Sequence, residues 1–474
     1  MSLRKKLDRL VSAGPGSRST RAPIPDDSVM NPAEISADDP GSPLRALPPG
    51  ERATQLRGVL ATLEARQARQ AEERARERAA RETAASLLSD LRPATPLPAS
   101  ARALPGELRA TPHGEVHSVL QRYTVDHAHG DVCVAQALDA QSEHLAKLAL
   151  DSGLAGRDVA RMLFLDTETT GLAGGTGTLP FLVGLAWFEE GALVVEQLLL
   201  PRLGAEGPIL HALAARIAWA SLLVSYNGKS FDWPLLRTRF VMNRVPVPPL
   251  PPHLDLLHCA RRVFKRRLEA VRLVHLESEV LGFHREDDID GADIPAAFLG
   301  WLRGGDVGPL ARVAMHNASD LVALPAVLAA LHDRFAALRP DDDPRDHLSL
   351  AHVAHRAADA GRARDFARAV AEGGASGELV AEAWSLLARL ERERGDDVAA
   401  ADALRRALEA ARGGTGGTAS LHLALAKLYE HRLKDPERAL EHARAAAPAE
   451  EPAASARRLT RLERRLLARG SLLG

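Results

Sequence analysis

The segment Phe164-Leu165-Asp166-Thr167-Glu168-Thr169-Thr170-Gly171-Leu172 sets two carboxylates two residues apart, directly after the apolar run Met162 to Leu165. Side chains alternate in direction along a β-strand, so Asp166 and Glu168 project together from the end of a buried strand. Two acids that close raise one another's pKa unless positive charge stands between them. Oxygen ligands of this kind suit Mg²⁺ or Mn²⁺. The segment therefore marks a candidate metal-dependent enzyme.

Three further residues extend the pattern. Asp232 closes Val224-Ser225-Tyr226-Asn227-Gly228-Lys229-Ser230-Phe231-Asp232, past a short strand and at the start of a helix. Asn-Gly favours a tight turn, and a helix N-terminus favours a carboxylate. In Met315-His316-Asn317-Ala318-Ser319-Asp320-Leu321, His316 and Asp320 are four apart and share one helix face. Each feature alone is weak: an Asp at a helix start is usually a cap, and a His four before an Asp is usually an exposed pair. The order and type of all of them are more specific.

The elements that must position these residues form a mixed α/β pattern. Val116 to Tyr123 and Val132 to Ala137 read as short strands, and Met162–Leu165 as a buried one. Phe181–Phe188 and Leu193–Leu200 flank Glu189-Glu190-Gly191 as a hairpin. Helices are expected over Pro208–Trp219, Trp233–Phe240, Arg272–Leu281 and Pro295–Leu302. Leu310–Phe335 reads as one long helix with Pro325 as a kink point. Leu222–Tyr226 and His253–Leu257 are short strands, the latter leading into the basic run Arg261, Arg262, Lys265, Arg266 and Arg267. Strand, hairpin, strand, helix, strand, helix is the order of a ribonuclease-H-like mixed sheet flanked by helices, and not strict βαβα alternation.

On these residues the chain resembles the DnaQ-like (DEDD) exonucleases. Asp166 and Glu168 match their first motif, Asp232 the second, and His316 and Asp320 the third. The Gly174-Gly175-Thr176-Gly177-Thr178 loop running into Phe181-Leu182-Val183-Gly184 narrows the resemblance. So do His253-Leu254-Asp255-Leu256-Leu257-His258 and Asp288-Ile289-Asp290-Gly291 ahead of Ile294-Pro295. These are similar to the bacterial YprB-like branch, often joined to tetratricopeptide repeats. The resemblance covers roughly residues 110–335.

It implies a hydrolase, a 3′-5′ exonuclease whose four carboxylates hold two divalent ions, Mg²⁺ or Mn²⁺. Asp166 would bridge them, Glu168 and Asp320 would hold the water-side ion, and Asp232 the other. His316 would position or deprotonate the attacking water. It stands four residues before Asp320, where His-type members place it five before. The resemblance also implies a nucleic-acid substrate with a single-stranded end, DNA or RNA, touched by Thr169, Gly171 and Leu172, with Asn227 and Lys229 reaching a phosphate. Asp255 reads as a supporting carboxylate, His253 and His258 as structural, and His127 and His129 as surface residues. The basic run reads equally as a phosphate-steering patch or a solvated helix face. The glycine loop lacks the Lys-Ser/Thr of a P-loop, which argues against nucleotide triphosphate binding.

At 474 residues the chain is expected to form more than one structured unit. The 61 basic residues nearly balance 62 acidic ones, so any nucleic-acid surface must be local. Residues 1–50, rich in Pro, Gly, Ser and Asp, read as disordered. Residues 51–112 read as a charged helix followed by a Pro-rich linker, and 113–340 as the catalytic domain. Residues 347–470 read as an all-α helical-repeat region. Trp384, Leu387, Ala388, Ala400, Leu404 and Ala407 fall at tetratricopeptide spacings, and Leu425, Ala426, Tyr429, Ala439 and Ala443 give a second copy. Such repeats would recruit a protein partner. Cys133 and Cys259 form no disulfide or zinc pattern and suit a reducing cytoplasm. No apolar run near ~18–20 residues and no signal peptide are read, so no membrane partner is expected. Two other readings fit the sequence: a non-catalytic nucleic-acid-binding scaffold, and a structure-specific endonuclease.

Overall fold

The computed structural model describes residues 106–171, 177–374, 377–411 and 418–470. The expectations for residues 1–105, for Leu172 and for most of the glycine loop fall outside them. Of the described residues, those up to Leu390 form one compact unit and those from Glu391 a second. The first unit thus continues past the boundary near residue 347 that composition suggests.

That unit is built on a seven-stranded sheet. Its strands are β1 (Glu107–Thr111), β2 (Gly114–Thr124), β5 (Met162–Thr169), β6 (Pro180–Glu189), β7 (Ala192–Leu199), β8 (Leu222–Ser225) and β9 (His253–Asp255). They are ordered β1-β2-β7-β6-β5-β8-β9. The pairs from β1 to β5 are antiparallel, and β5-β8 and β8-β9 are parallel. A separate two-stranded hairpin joins β3 (Ala128–His129) and β4 (Val132–Cys133). The mixed sheet flanked by helices is the one expected. In β5, Met162 to Leu165 are all fully buried, the continuous apolar signature of a strand covered on both faces.

Three elements depart from the sequence reading; the expected strand His253–Leu257 ends at Asp255, whose side chain caps the helix that opens at Leu256. Glu107–Thr111, within the stretch read as linker, pairs with Gly114–Ser118 as an edge strand. Its residues are almost all exposed, so no hydrophobic alternation announces it. Only Val132 and Cys133 of the expected strand to Ala137 are extended, and Val134–Asp139 wind into a 3₁₀ turn.

The helices of this unit are α1 (Ser142–Ala149), α2 (Glu206–Trp219), α3 (Asp232–Met242), α4 (Leu256–Phe264), α5 (Leu273–Val280), α6 (Ile294–Leu302), α7 (Gly308–Ala336), α8 (Pro344–Arg356), α9 (Ala360–Glu372) and most of α10 (Glu378–Glu393). The longest, α7, runs through Pro325 as a single helix. Helix α7 is long and apolar enough to cross a membrane, which the sequence reading did not find, but 72% of its apolar window is buried inside the fold. Its apolarity comes from packing on several elements at once. The core between sheet and helices includes Phe181 stacked on Phe298, with ring centres 4.2 Å apart.

Two residues of the basic run after β9 are used in ion pairs with later helices. Arg266 bonds Glu382 of α10 at 2.7 Å and Arg267 bonds Asp346 of α8 at 2.9 Å. Arg261 and Lys265 stay exposed. In the second unit, α11 (Asp397–Ala411), α12 (Ala419–Leu428), α13 (Pro436–Ala445) and α14 (Pro452–Gly470) pack around buried Leu425, Ala426, Tyr429, Ala439 and Ala443. Glu430, with no exposed side chain, is held by Arg458 and Arg461, each at 2.6 Å.

The approach of α7 to the sheet depends on Gly184 of β6. A Cβ there would stand 2.2 Å from Asn317 Oδ1 and 2.7 Å from Leu321 Cδ1. Gly184→Ala should therefore cost about 1–3 kcal/mol by overpacking. The expected fall in melting temperature is roughly 2–10 °C, read by thermal unfolding. Asn317→Ala in the Gly184→Ala background should recover part of that fall, so additive losses would show that the clash is not the cause.

Candidate active site

The carboxylates reach one place from three elements. Asp166 and Glu168 leave β5 on the same side, as alternation requires, and a register shift follows at Glu168/Thr169 where the strand ends. Asp232 is the first residue of α3, and Asp320 lies on α7. Glu168 and Asp232 are buried, at 8% and 4% exposure, while Asp166 keeps an edge toward solvent. The structure thus brings together all four predicted acids, with His316 beside them.

Small polar contacts fix each acid. Asn317 Nδ2 donates to Asp166 Oδ2 at 2.7 Å. Asn317 is itself oriented by Gln197 Nε2, which donates to its Oδ1 at 2.9 Å and to the Ala314 carbonyl at 2.7 Å. Thr167 Oγ1 donates to Asp232 Oδ1. His316 Nδ1 lies 2.6 Å from Asp288 Oδ1, and its Nε2 lies 3.7 Å from Asp320 Oδ2. A guanidinium, Arg285, bonds Asp320, Asp288 and Glu277.

Electrostatics record the crowding. Burial, then the charges of Asp320 and Asp232, push Asp166 well above the usual carboxylate range. Burial, then Asp166 and Asp320, do the same to Glu168. Burial lifts Asp232 to about 6 against the hydrogen bond from Thr167, and it raises Asp320 against Arg285. Asp288 goes the other way: burial raises it, but the hydrogen bond and charge of His316 together with those of Arg285 outweigh burial and hold it low.

The donor set fits divalent cations. Four oxygen ligands carry more negative charge than one arginine offsets, and such a surplus is relieved by a hard cation. Among the described residues, no three such side chains are arranged to hold an ion as they stand. The oxygens are turned to other partners, Asp166 to Asn317, Asp232 to Thr167 and Asp320 to Arg285.

The residues expected to meet substrate are placed unevenly. Thr169 Oγ1 donates to the Gly171 carbonyl at 2.8 Å and closes the turn after β5. Asn227, with φ of 67°, and Lys229 form a turn held by Asp255, whose oxygens accept from their backbone N–H groups at 2.8 and 3.1 Å. Asp255 thus fixes the turn and caps the helix that follows it. A Cβ at Gly228 would come within 3.2 Å of Asp232 Oδ2, so this turn lies against the acids. The Lys229 ammonium faces Asp151 at 3.8 Å. His253 is structural, bonding Ser225 Oγ at 2.7 Å, and burial lowers its pKa to about 4. His129 is not a surface residue: it is buried, 2.7 Å from Glu277 Oε1, a partner 148 residues away. Arg285, Glu277, Gln197 and the role of Asn317 escaped the sequence reading. Only Asn317, adjacent to His316, carried a local signal.

Residues 163–332 match the RNase_H superfamily, a span that encloses every residue of this cluster. Over 233 residues the chain is 34% identical to "Uncharacterized protein YprB" of Bacillus subtilis (strain 168), covering 48% of this chain and 54% of that protein. The chain therefore spans about half the length of this relative. One solved structure, titled "Crystal structure of APC/C hetero-tetramer Cut9-Hcn1", aligns at 17% identity over 54% of this chain and 46% of that one. Its TM-score is 0.23, so the alignment carries no argument about this fold.

The raised acids make stability fall with pH when no metal is present. Asp232 binds its proton more tightly folded than unfolded, 3.8 rising to about 6. Its penalty is absent below about pH 4, grows as pH rises toward 6, and then stays constant near about 3 kcal/mol. In EDTA, Asp232→Asn should therefore gain melting temperature over wild type from pH 4 to 6 and hold that gain to pH 8. A difference of equal size at pH 4 and pH 8 would contradict the assignment.

Proposed function

We propose that this chain is a metal-dependent nuclease that hydrolyses phosphodiester bonds of nucleic acid, acting as a 3′-5′ exonuclease on a single-stranded end. One observation carries the reading: Asp166, Glu168, Asp232 and Asp320 converge, against mutual repulsion, beside His316. They do so within residues that match the RNase_H superfamily. Repelling buried carboxylates destabilise a fold, and their convergence is explained by a cation-dependent task.

The four acids would hold two divalent ions, Mg²⁺ or Mn²⁺. Such ions supply the positive charge that generates a nucleophilic hydroxide and stabilises the leaving oxygen. The chain's own residues do the rest. Asn317 orients Asp166, and Thr167 orients Asp232. The short contact to Asp288 assigns the His316 proton to Nδ1, which leaves Nε2 free to take one. Imidazole suits that transfer near neutral pH. The turn at Asn227 and Lys229, pinned by Asp255 and adjoining Asp232 through Gly228, would offer these two residues to a phosphate beside Asp232. Helices α10 to α13 are read as tetratricopeptide-like pairs that recruit a protein partner, supported by burial of Ala400, Leu404, Ala407, Leu425, Ala439 and Ala443.

End-labelled single- and double-stranded DNA and RNA, incubated with Mn²⁺ or Mg²⁺, test the reading. A metal-dependent ladder shortening from the 3′ end is expected, with none from Asp166→Ala. Discrete internal products would instead make the chain an endonuclease, and no cleavage of any substrate would leave a binding scaffold. His316→Ala should lower the rate by roughly 10²- to 10⁴-fold near pH 7. Unchanged activity across the pH range would remove His316 from proton transfer.

A further inference from the structure

Arg285 stands where the acid cluster needs positive charge. Its Nε donates to Glu277 Oε2 at 2.8 Å, its Nη1 to Asp288 Oδ2 at 3.1 Å, and its Nη2 to Asp320 Oδ1. Nη1 also lies 3.3 Å from His316 Nδ1. One guanidinium thus holds an acid of the cluster together with the carboxylate that orients the imidazole. Its side chain is only 6% exposed, and a cation that deep is kept charged by its partners.

Two of those partners lie outside the converging set. Glu277 is fully buried and also meets His129, which ties it to the β3–β4 hairpin. Asp288 belongs to the loop between α5 and α6 and is held low by His316. If Asp320 turns to another cation, Arg285 keeps Glu277 and Asp288. No buried charge is then stranded, so leaving Asp320 costs the arginine one of three carboxylates and not its place in the fold.

We propose that Arg285 is an internal cation that exchanges with a divalent ion at Asp320. Without metal, the guanidinium neutralises Asp320. On loading, Asp320 turns to the ion and Arg285 withdraws to Glu277 and Asp288. Metal affinity is then weakened by competition with a built-in charge, so the site fills at a higher ion concentration than it would without Arg285. This rests on the metal reading above. Lysine cannot do the same, because a point charge lacks the planar fork that engages three carboxylates together.

Mn²⁺ titration of the full-length chain, with free Mn²⁺ followed by electron paramagnetic resonance, tests the exchange. Arg285→Gln removes the competitor and should bind Mn²⁺ roughly ten- to a hundredfold more tightly than wild type, the worth of one charge-assisted hydrogen bond. Its metal-free melting temperature should fall, and saturating Mn²⁺ should raise it by more than in wild type. Where Arg285→Gln fails to fold because Glu277 is stranded, Arg285→Lys keeps a charge beside Glu277 and should also bind Mn²⁺ more tightly than wild type. Equal or weaker binding by a folded variant, with wild type binding Mn²⁺, overturns the exchange and leaves the metal reading intact. No binding by wild type, with Asp166→Asn indistinguishable from it, overturns the metal reading and the exchange with it.

Discussion

The burial of four converging carboxylates, Asp166, Glu168, Asp232 and Asp320, is the constraint on which the first unit is arranged. Burial pushes each acid toward its neutral form; neighbouring carboxylates add to this at Asp166 and Glu168, while Arg285 and His316 oppose it at Asp320. A fold free of function would separate such groups or pair each with its own cation. Here the partners are chiefly dipoles. An amide meets Asp166, a hydroxyl meets Asp232, and one arginine meets Asp320. Dipoles aim a carboxylate without cancelling its charge.

Holding the acids in register falls to two rigid elements. The interior strand β5 is flanked by β6 and β8, so Asp166 and Glu168 cannot move without the sheet. Helix α7 spans the unit, and its burial explains both its membrane-like composition and its fixed position. The two meet at Gly184, which is paired with Asp166 across the β5–β6 ladder and lies under Asn317. One missing Cβ on β6 lets the α7 amide reach the β5 carboxylate.

Much of this was legible in sequence because it rests on local periodicity. Alternation in 162–168 gave the acid pair, four-residue helical spacing gave His316 and Asp320, and Glu190-Gly191 gave the hairpin. What escaped depends on distant approach. His129 and Glu277 lie 148 residues apart, and no local pattern joins them. Arg285 sits in an irregular loop amid acids, where composition reads only as solvated charge. Arg266 and Arg267 look like a phosphate-steering patch until Glu382 and Asp346 arrive from later helices. Edge strand β1 lacks the burial that would give it a pattern.

The spacing of His316 follows from the same geometry. On a helix, positions four apart share a face and a neighbour one position on is turned about 100° away. His316 and Asp320 therefore flank the acids together, with Nε2 and Oδ2 3.7 Å apart. Asn317, one residue later, is turned inward against Gly184 and Asp166. A histidine five residues before Asp320 would fall at Met315, which is 68% exposed. It would also lose Asp288, whose carboxylate fixes the imidazole from the far side. The four-residue spacing is thus the one that this loop supports: Asp288 orients His316, Arg285 joins Asp288 to Asp320, and the imidazole stays aimed at the acids from both ends.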